Sequence, residues 1–398
     1  MTPRAVLLTH FVPRDTISGG EMAAHGIAAS LAAAGYQVDA CYCGKPGLDV
    51  GAASWPTWDC SAPSFPEAAP RVAERVRAAD PEVVWVYGVR AWPAFRSLVR
   101  EVPHVLLAGD PPSEVERLRF RWEGAATASN PARRVAGWAG MRRRIRALGR
   151  ASAEAFREAA DRGVAAAYGP GDVQVLRRMS GVDVVLCELG FPDFGARTTH
   201  GDGRTFLLLG NLNTLQTRYG LEFFQRRVWP QWRRSPLVER SAVRIVGAGR
   251  LPARLHFESE PGLEFVGFVD DLAAEWERAT AMLVPIPVEL GFRTRLVEAW
   301  ARAVPVITDA STAAGLPTLE PNRNCLVASF GQEWVEAALR LLDDPGLAAS
   351  VGEGGRESFL HQYLADSAGE RFGRLSEMAV ARWSQAGIGA GTVGRWER

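Results

Sequence analysis

The chain has 398 residues, a size that favours two or three domains over a single core. Hydrophobic residues make up 47% and charged residues 23%, which is typical of a globular protein, and a formal net charge of +1 gives no reason to expect nucleic acid as a partner. Lys45 is the only lysine among 46 basic residues, so we expect arginine guanidinium groups or backbone amides to make any anion contact.

The five cysteines of the chain are dispersed and odd in number, and none of them forms a C-x-x-C pair. This spacing favours reduced thiols and provides no zinc motif. The chain passes from Met1 directly into an apolar segment without a secretion leader. No apolar run reaches the roughly 18 residues that a membrane-spanning helix requires. We therefore expect a cytoplasmic protein.

Short apolar segments alternate with helix-like segments along the whole chain, which favours parallel sheets covered by helices. Strands are predicted in the first half at Ala5–Thr9, Gln37–Tyr42, Val83–Val86, His104–Ala108, Val164–Ala167 and Val184–Cys187. Strands are predicted in the second half at Phe206–Leu209, Val243–Val246, Leu263–Val266, Met282–Val284 and Val304–Ile307. Helices are predicted there around Leu221–Trp232, Thr294–Ala303 and Glu333–Leu342, and a further one over Glu357–Trp383.

These elements predict an α/β protein with two domains of similar size. The first domain covers residues 1–190 and the second covers residues 205–365, with the polar, glycine-rich residues 191–204 as a linker. The C-terminal residues 366–398 contain the rest of the last helix, which is long enough to return to the first domain, and a tail.

Glycines follow the first strand of each predicted domain. Gly19 and Gly20 precede a helix that Ser18 is predicted to cap, and they would let a phosphate approach the backbone; an ordinary strand-to-helix turn is the alternative. Gly210 and Asn211 occupy the corresponding place in the second domain. Gly247 begins a G-x-G pair, but Pro252 stands at the third glycine position of a dinucleotide fingerprint, which argues against NAD.

The segment Gly291–Thr308 predicts an anion site at a helix N-terminus. Gly291 allows a tight turn, Thr294 is predicted to cap the helix, and Arg293 and Arg295 place positive charge beside the first N–H groups. Glu298, one turn into the helix, would accept hydrogen bonds from sugar hydroxyls. An ordinary helix with surface arginines is the alternative.

Two further features point to ligands or partners. Asp110 follows a predicted strand, where a carboxylate would orient an acceptor hydroxyl, act as a weak base or simply stabilise an Asx turn. The run Arg133–Arg150 contains seven arginines with apolar residues at helical spacing, which suits either peripheral contact with an anionic membrane or a solvated helix. Zinc-protease, nucleophile-elbow and P-loop motifs are absent from the sequence.

Several segments together resemble the retaining nucleotide-sugar glycosyltransferases of the GT-B fold, the large glycosyl transferases group 1 family that contains sucrose synthase and bacterial mannosyltransferases. The resemblance is strongest in the second half. It is carried by Leu208–Asn213, Ile245–Gly249, Phe265–Asp270, Gly291–Ala299 and Ala314–Leu316, and in the first half by Gly19, Gly20 and the turn Gly169–Asp172.

The resemblance implies two Rossmann-like domains that face a central cleft, with the acceptor held by the first and the donor by the second. Glu298 resembles the second glutamate of the family's E-x7-E element, which binds the donor ribose. The first glutamate would fall at Leu290, with Glu289 one residue out of register, but Gly291, Arg293 and Arg295 are similar to a G-x-R-x-K variant. Both arginines would then bind the donor diphosphate.

The resemblance also implies that Val266–Val269, which includes Phe268 and Val269, is the loop whose backbone reads the nucleobase. This sequence departs from the family at two places. Gly109, beside Asp110, stands where relatives commonly have a histidine, and Arg218 lies near the place of a common lysine.

These observations predict a retaining glycosyltransferase that moves a sugar from a GDP- or UDP-linked donor to a small-molecule acceptor. Bacterial specialised-metabolite or cell-envelope biosynthesis is the expected setting. No Asp-x-Asp motif follows a strand, so neither a metal ion nor another cofactor is expected. A sugar-nucleotide epimerase and a non-catalytic sugar-nucleotide-binding subunit are the alternatives.

Overall fold

The computed structural model describes residues 2–14, 19–123, 131–250, 255, 260–289 and 291–388, with the backbone alone for residues 123, 131–136, 313, 314, 387 and 388. The chain divides into two compact units, each of which is described by itself. Unit 1 comprises Met1–Pro192, Leu290–Phe292 and Tyr363–Arg398, and unit 2 comprises Asp193–Glu289 and Arg293–Gln362.

Unit 1 is built on a parallel sheet of seven strands in the order β3-β2-β1-β4-β5-β6-β7. The strands are β1 (Arg4–Thr9), β2 (Gln37–Tyr42), β3 (Thr57–Asp59), β4 (Val83–Tyr87), β5 (His104–Ala108), β6 (Val164–Ala167) and β7 (Val185–Leu186). All residues of β4, β5 and β6 are buried, as expected for apolar strands covered on both faces.

The helices of unit 1 cover both faces of this sheet. They are α1 (Gly19–Ala33), α2 (Phe65–Ala79), α3 (Trp92–Phe95), α4 (Pro112–Glu123), α5 (Pro131–Arg162), α6 (Pro170–Ser180) and, from the end of the chain, α15 (Ala365–Trp383). Helix α15 packs beside α1. Its Phe372 stacks on Trp85 of β4 at a centroid distance of 4.6 Å, and the Trp85 indole donates to Ser376 Oγ at 3.0 Å. The end of the chain therefore completes the core of unit 1.

Unit 2 is built on a parallel sheet of six strands in the order β10-β9-β8-β11-β12-β13. The strands are β8 (Thr205–Leu209), β9 (Ala242–Val246), β10 (Leu263–Gly267), β11 (Ala279–Val284), β12 (Val306–Asp309) and β13 (Leu326–Ala328). The helices are α7 (Leu215–Phe223), α8 (Trp229–Trp232), α9 (Leu237–Arg240), α10 (Ala273–Arg278), α11 (Thr294–Ala301), α12 (Ala310–Gly315), α13 (Gly331–Asp343) and α14 (Pro345–Ser358). A π-helical turn, Phe224–Val228, joins α7 to α8.

The α/β fold predicted from the sequence is confirmed, and every predicted strand overlaps an observed one. Two observed strands, β3 and β13, were not predicted. Each has only three residues, which is too short for a period of two to show in the sequence.

The prediction of one continuous helix over Glu357–Trp383 is wrong. Helix α14 ends at Ser358, a π-helical turn follows, and Leu364 is extended before α15 begins. The Phe191 N–H donates to the Tyr363 carbonyl at 2.7 Å, and the Ala365 N–H donates to the Phe191 carbonyl at 2.8 Å. This short parallel bridge breaks the helix because a distant segment supplies alternative backbone partners at Leu364.

Residues 193–204, which fall in the predicted linker, are held against unit 2 by hydrogen bonds. The Thr198 and Thr199 N–H groups donate to the Glu277 carboxylate, at 3.0 and 3.2 Å, and the Arg197 guanidinium donates to the Ala279 carbonyl. Asp193 forms a two-point ion pair with Arg356, at 2.6 and 2.7 Å. Residues 193–204 are therefore an ordered segment bound to the rest of unit 2, called the strap below.

Candidate functional site

One group of candidate site residues lies at the N-terminus of α11 in unit 2. Arg293 is the residue before this helix; it is 9% exposed, and its guanidinium donates to the Val288 carbonyl. The predicted Thr294 cap is wrong, because Thr294 is already helical and no side chain caps the helix. The Leu296 N–H donates to the Arg293 carbonyl at 3.0 Å. Among the described residues, no backbone carbonyl accepts from the N–H groups of Thr294 and Arg295.

Glu298 is the buried acid of this helix, with 3% of its surface exposed. The Arg295 guanidinium donates to Glu298 Oε2, and the Trp276 indole donates to Oε1 at 3.2 Å. Arg302 lies 3.7 Å from the same Oε1 and stacks on the Trp276 ring at 5.7 Å. The sequence placed Arg295 and Glu298 together, but it gave no sign of Trp276, which comes from α10. The carboxylate is thus held in one orientation by charge and hydrogen bonds.

Glycines at the carboxyl ends of β8 and β9 allow the backbone to pack closely. A Cβ on Gly247 would lie 1.7 Å from the Gly210 carbonyl oxygen, so only glycine fits there. The Gly210 N–H in turn donates to the Val246 carbonyl at 3.1 Å. Asn211 Oδ1 accepts from the Asn213 N–H at 2.9 Å, which is a local turn. The donor-binding roles of Gly210, Asn211 and Gly247 stay predictions. In the structure, Gly210 and Gly247 allow close backbone packing, and Asn211 stabilises a local turn.

Other predicted donor-binding residues of unit 2 lie at the surface. Phe268, which follows β10, exposes 65% of its surface, an unusual exposure for a large aromatic side chain. Val269 is partly exposed and Glu289 is exposed. Arg218, near the place of the family's lysine, donates to the Leu212 carbonyl at 2.6 Å and so stabilises the loop after β8.

A separate group of candidate residues lies at the carboxyl edge of the unit 1 sheet, where Asp110 follows β5. Asp110 has a left-handed backbone with φ of 47°, and its N–H donates to Asp172 Oδ2 at 3.3 Å. Its carboxylate approaches Gly291 so closely that a Cβ on Gly291 would lie 2.1 Å from Asp110 Oδ1. Gly291 itself has φ of 75°. Position 291 therefore requires glycine, because its backbone is left-handed and the Asp110 carboxylate leaves no room for a Cβ.

Two tyrosines beside Asp110 were missed in the sequence. Tyr87 ends β4 and Tyr168 follows β6, and their ring centroids are 6.4 Å apart. Burial raises the pKa of both phenols, and the negative charge of Asp110 raises them further. Both phenols are therefore neutral hydrogen-bonding groups at physiological pH.

His10 follows β1 at the same edge and was also missed. It packs among Phe11, Phe65 and Tyr87, with ring centroids between 4.2 and 6.5 Å away. Burial and the nearby Arg90 lower the pKa of His10 to about 4, so the imidazole is neutral at pH 7. His10, Tyr87 and Tyr168 stand at the carboxyl ends of predicted strands, and this position is the sequence feature that could have indicated them.

The glycine pair after β1 forms the start of a helix instead of a loop. Gly19 and Gly20 are the first residues of α1, while Ser18 lies outside the described residues. A Cβ on Gly20 would lie 2.4 Å from the Phe11 ring, so that ring occupies the space beside the glycine. The predicted phosphate contact at Gly19 and Gly20 is untested.

The arginine-rich run lies on α5, in its N-terminal half. Trp138 is 49% exposed and packs edge-on against Phe120 of α4 at 4.9 Å. Arg144 forms an ion pair with Glu116 at 3.1 Å, whereas Arg142, Arg143, Arg146 and Arg150 are exposed. The side chains of Arg133 and Arg134 are outside the described residues.

Two kinds of site are absent from the residues that the structure describes. Among those residues, no group of three or more His, Cys, Asp or Glu side chains is placed to hold a metal ion. No helix in the part of the chain that the structure describes is both long enough and apolar enough to cross a membrane.

Comparisons with known proteins fit this geometry. Residues 203–344, which include α11 and the strand-end glycines, match the family described as Glycosyl transferases group 1. No curated protein sequence matches the chain.

Solved structures are similar over almost the whole chain. Sucrose-phosphate synthase from Thermosynechococcus elongatus is 17% identical, with a TM-score of 0.67 over 95% of this chain and 99% of that one. HepE from Anabaena, solved with UDP and glucose, is 14% identical, with a TM-score of 0.63 over 94% and 98%. WaaG, a glycosyltransferase involved in lipopolysaccharide biosynthesis, is 14% identical, with a TM-score of 0.55 over 93% and 99%. These similarities show that the fold is GT-B.

Proposed function

We propose that this chain is a group 1 glycosyltransferase that moves a sugar from a GDP- or UDP-linked donor to a small-molecule acceptor, with retention of the anomeric configuration and without a metal ion. The observation that carries the proposal is the charge at the start of α11. Arg293 and Arg295 flank the first turn of this helix, within the residues that match the family.

The chemistry of sugar transfer explains why this charge is useful. Breaking the bond between the sugar and the diphosphate leaves negative charge on the departing nucleotide. The N–H groups of Thr294 and Arg295 at the positive end of α11 and the two guanidiniums stabilise that charge in the transition state. Arg295 donates through Nη1 to Glu298, and a guanidinium has five N–H donors, so the others serve the diphosphate.

The rest of the donor contacts are assigned to unit 2. Glu298, fixed by Trp276, accepts from the ribose hydroxyls, and Glu289 lies close to it in sequence at the surface. The exposed Phe268 ring, with the backbone of Val269, contacts the nucleobase. Gly210, Asn211 and Gly247 line the approach of the sugar and phosphates in unit 2. In unit 1, Gly19 and Gly20 are assigned to a phosphate contact. Asp110 orients the acceptor hydroxyl.

The replacement Arg295→Ala tests this assignment. We expect a loss of turnover of roughly 100- to 1,000-fold, because a preorganised charge at the leaving group is removed. Turnover is measured as release of nucleoside diphosphate from UDP-glucose and GDP-mannose, after a thermal-shift screen has identified the donor that stabilises the protein.

Two controls separate catalysis from folding. Arg226 of unit 2 also forms an ion pair with a glutamate in the same chain, at 2.9 Å, and is 67% exposed. Arg226→Ala is therefore expected to retain normal turnover. Arg295→Ala leaves the Glu298 carboxylate without Arg295 but with Arg302 at 3.7 Å. Arg295→Ala/Glu298→Gln removes the charge of that carboxylate as well, and it is expected to remain slow. A near-normal rate in Arg295→Ala would refute the assignment of Arg295.

We also propose that unit 1 contacts an anionic membrane through the exposed arginines of α5. No acidic residue occurs between Glu123 and Glu154, so the N-terminal half of this helix carries basic side chains and no acidic ones, with the exposed Trp138 beside them. Arg142→Glu/Arg146→Glu should reduce co-sedimentation with phosphatidylglycerol vesicles several-fold without changing the weak binding to phosphatidylcholine vesicles. Equal binding of the variant, or competition by RNA alone, would contradict the proposal.

A cytoplasmic location and a role in bacterial cell-envelope or specialised-metabolite biosynthesis complete the proposal. All five cysteines are buried thiols, which suits a reducing compartment. The similarity to WaaG, which acts in lipopolysaccharide biosynthesis, supports the cell-envelope setting.

A further inference from the structure

The Glu298 carboxylate of α11 can turn about the last bond of its side chain. This torsion has only a broad preference in glutamate, so neighbours must hold the carboxylate plane if its two oxygens are to meet a ligand in one way. Trp276 of α10 donates through Nε1 to Oε1 at 3.2 Å, and Arg295 donates to Oε2. Two donors from different helices therefore set the plane of this buried carboxylate.

Trp276 is itself held in place within unit 2. The residue before it, Glu275, is buried and accepts through both oxygens from the Arg244 guanidinium of β9, at 2.9 Å each. A two-point pair of this kind fixes direction as well as distance. The Arg302 guanidinium lies over the Trp276 ring, 5.7 Å from its centroid. The indole N–H is thus presented to Glu298 from a fixed frame.

The donors around Glu298 differ in what they can do. Arg302 lies 3.7 Å from Oε1, which is an ion pair but too long for a hydrogen bond. Arg295 is also assigned to the diphosphate, so part of its donor set serves another group. The Trp276 indole has a single N–H, which it gives to Glu298. Because the indole is uncharged, it orients the acid without neutralising it.

The carboxylate keeps free acceptor capacity on both oxygens. An ionised carboxylate offers about four lone-pair sites, and one hydrogen bond to each oxygen leaves further sites on both. Two acceptors fixed in one plane suit two hydroxyls on neighbouring carbons, which is the arrangement of a ribose.

We propose that Trp276 is the positioning residue that sets a preference for ribose over 2′-deoxyribose, by holding Glu298 so that it accepts from two neighbouring hydroxyls. This inference rests on the proposed function, which assigns the ribose of the donor to Glu298. Trp276 acts through Glu298 and needs no contact of its own with the nucleotide.

Binding of paired nucleotides tests the inference without turnover. Titration calorimetry gives the Kd values of UDP and 2′-deoxy-UDP, or of GDP and 2′-deoxy-GDP if that base stabilises the protein more. We expect the unmodified chain to bind the ribo form roughly 10- to 100-fold more tightly, because the deoxy form lacks a hydrogen bond to a charged group. Trp276→Phe keeps a ring beside Arg302 but removes the N–H. Its preference should fall about five-fold or more, through weaker binding of the ribo form.

Trp232→Phe is the matched control. Trp232 is a fully buried tryptophan of unit 2 whose indole also donates to a side-chain oxygen, Ser241 Oγ, at 3.2 Å. This variant should keep the preference within about two-fold of the unmodified chain. A ratio of two Kd values does not change with the fraction of unfolded protein, since both nucleotides bind the folded form. The inference is overturned if Trp276→Phe keeps the preference of the unmodified chain, or loses no more of it than Trp232→Phe.

Failure of the proposed function would give a different result. Equal binding of both forms by the unmodified chain would show that Glu298 does not hold the ribose, and the inference would fall with that assignment. A crystal structure of the unmodified chain with the ribo form tests the inference even if Trp276→Phe does not fold. We expect the Trp276 indole to stay on Oε1 while the 2′ hydroxyl donates to Glu298. An indole turned away from a Glu298 that still binds the ribose would overturn the inference alone.

Discussion

Asp110 shows most clearly how one residue's conformation bears on function. Its φ of 47° costs a residue with a Cβ more than it costs glycine. Asp110→Gly should therefore match the unmodified chain in its free energy of unfolding or exceed it by up to about 1 kcal/mol, whereas Asp110→Ala should lose about 1–2 kcal/mol. Both variants should transfer sugar much more slowly.

Urea titration followed by tryptophan fluorescence measures the two stabilities, and donor turnover is measured in parallel. If Asp110→Gly were destabilised as strongly as Asp110→Ala, the carboxylate would be a structural group of the turn. In that case its hydrogen bonds would matter more than the strain of the backbone.

Only some residues of the candidate site could be predicted from the sequence. Arg293, Arg295 and Glu298 stand in one short segment, so their proximity was predictable from helical spacing. Trp276 reaches Glu298 from a separate element, and nothing local in the sequence marks it. The Thr294 cap failed because the helix begins one residue earlier than a threonine cap would require.

The secondary-structure elements were easier to predict than the residues of the site. Strands such as β4 and β5 are continuous buried apolar runs between turn residues, and such runs show in a sequence. The break at Leu364 was hidden because the sequence on both sides of it favours helix. It arises from the bridge to Phe191, a contact between residues far apart in the chain.

Helix α15 makes a specific prediction about stability. Phe372 is fully buried against Trp85, so Phe372→Ala should lower the free energy of unfolding by roughly 3–5 kcal/mol. Arg374 lies on the same helix with 60% of its side chain exposed, and Arg374→Ala should change stability by less than about 0.5 kcal/mol. Chemical denaturation compares the two. Similar small losses in both variants would show that α15 contributes little to the core of unit 1.

At the scale of the whole molecule, the strap on unit 2 predicts how stability depends on pH. The Arg356 guanidinium hydrogen-bonds to Asp193 and holds the pKa of that carboxyl below its usual range, with the Gly195 N–H also lowering it. A depressed pKa in the folded state adds stability above the pKa of the unfolded chain, near 4. That stability is lost as the pH falls through the folded-state pKa.

Asp193→Asn removes this contribution. Its thermal midpoint should fall below that of the unmodified chain at pH 7, and the difference should shrink as the pH falls below about 4 and through the folded-state pKa of Asp193, where the unmodified carboxyl becomes protonated too. Calorimetry at a series of pH values measures both midpoints. A difference that stays constant from pH 7 to about pH 3 would mean that the charge of Asp193 does not stabilise the fold.

The position of a bound nucleotide tests the central claim most directly. A crystal structure with UDP or GDP, whichever stabilises the protein more, locates the diphosphate. We expect phosphate oxygens within hydrogen-bond distance of the Arg293 or Arg295 guanidinium and of the first N–H groups of α11, with the ribose at Glu298. A nucleotide bound away from the start of α11 would contradict the claim, even though the GT-B fold would stand.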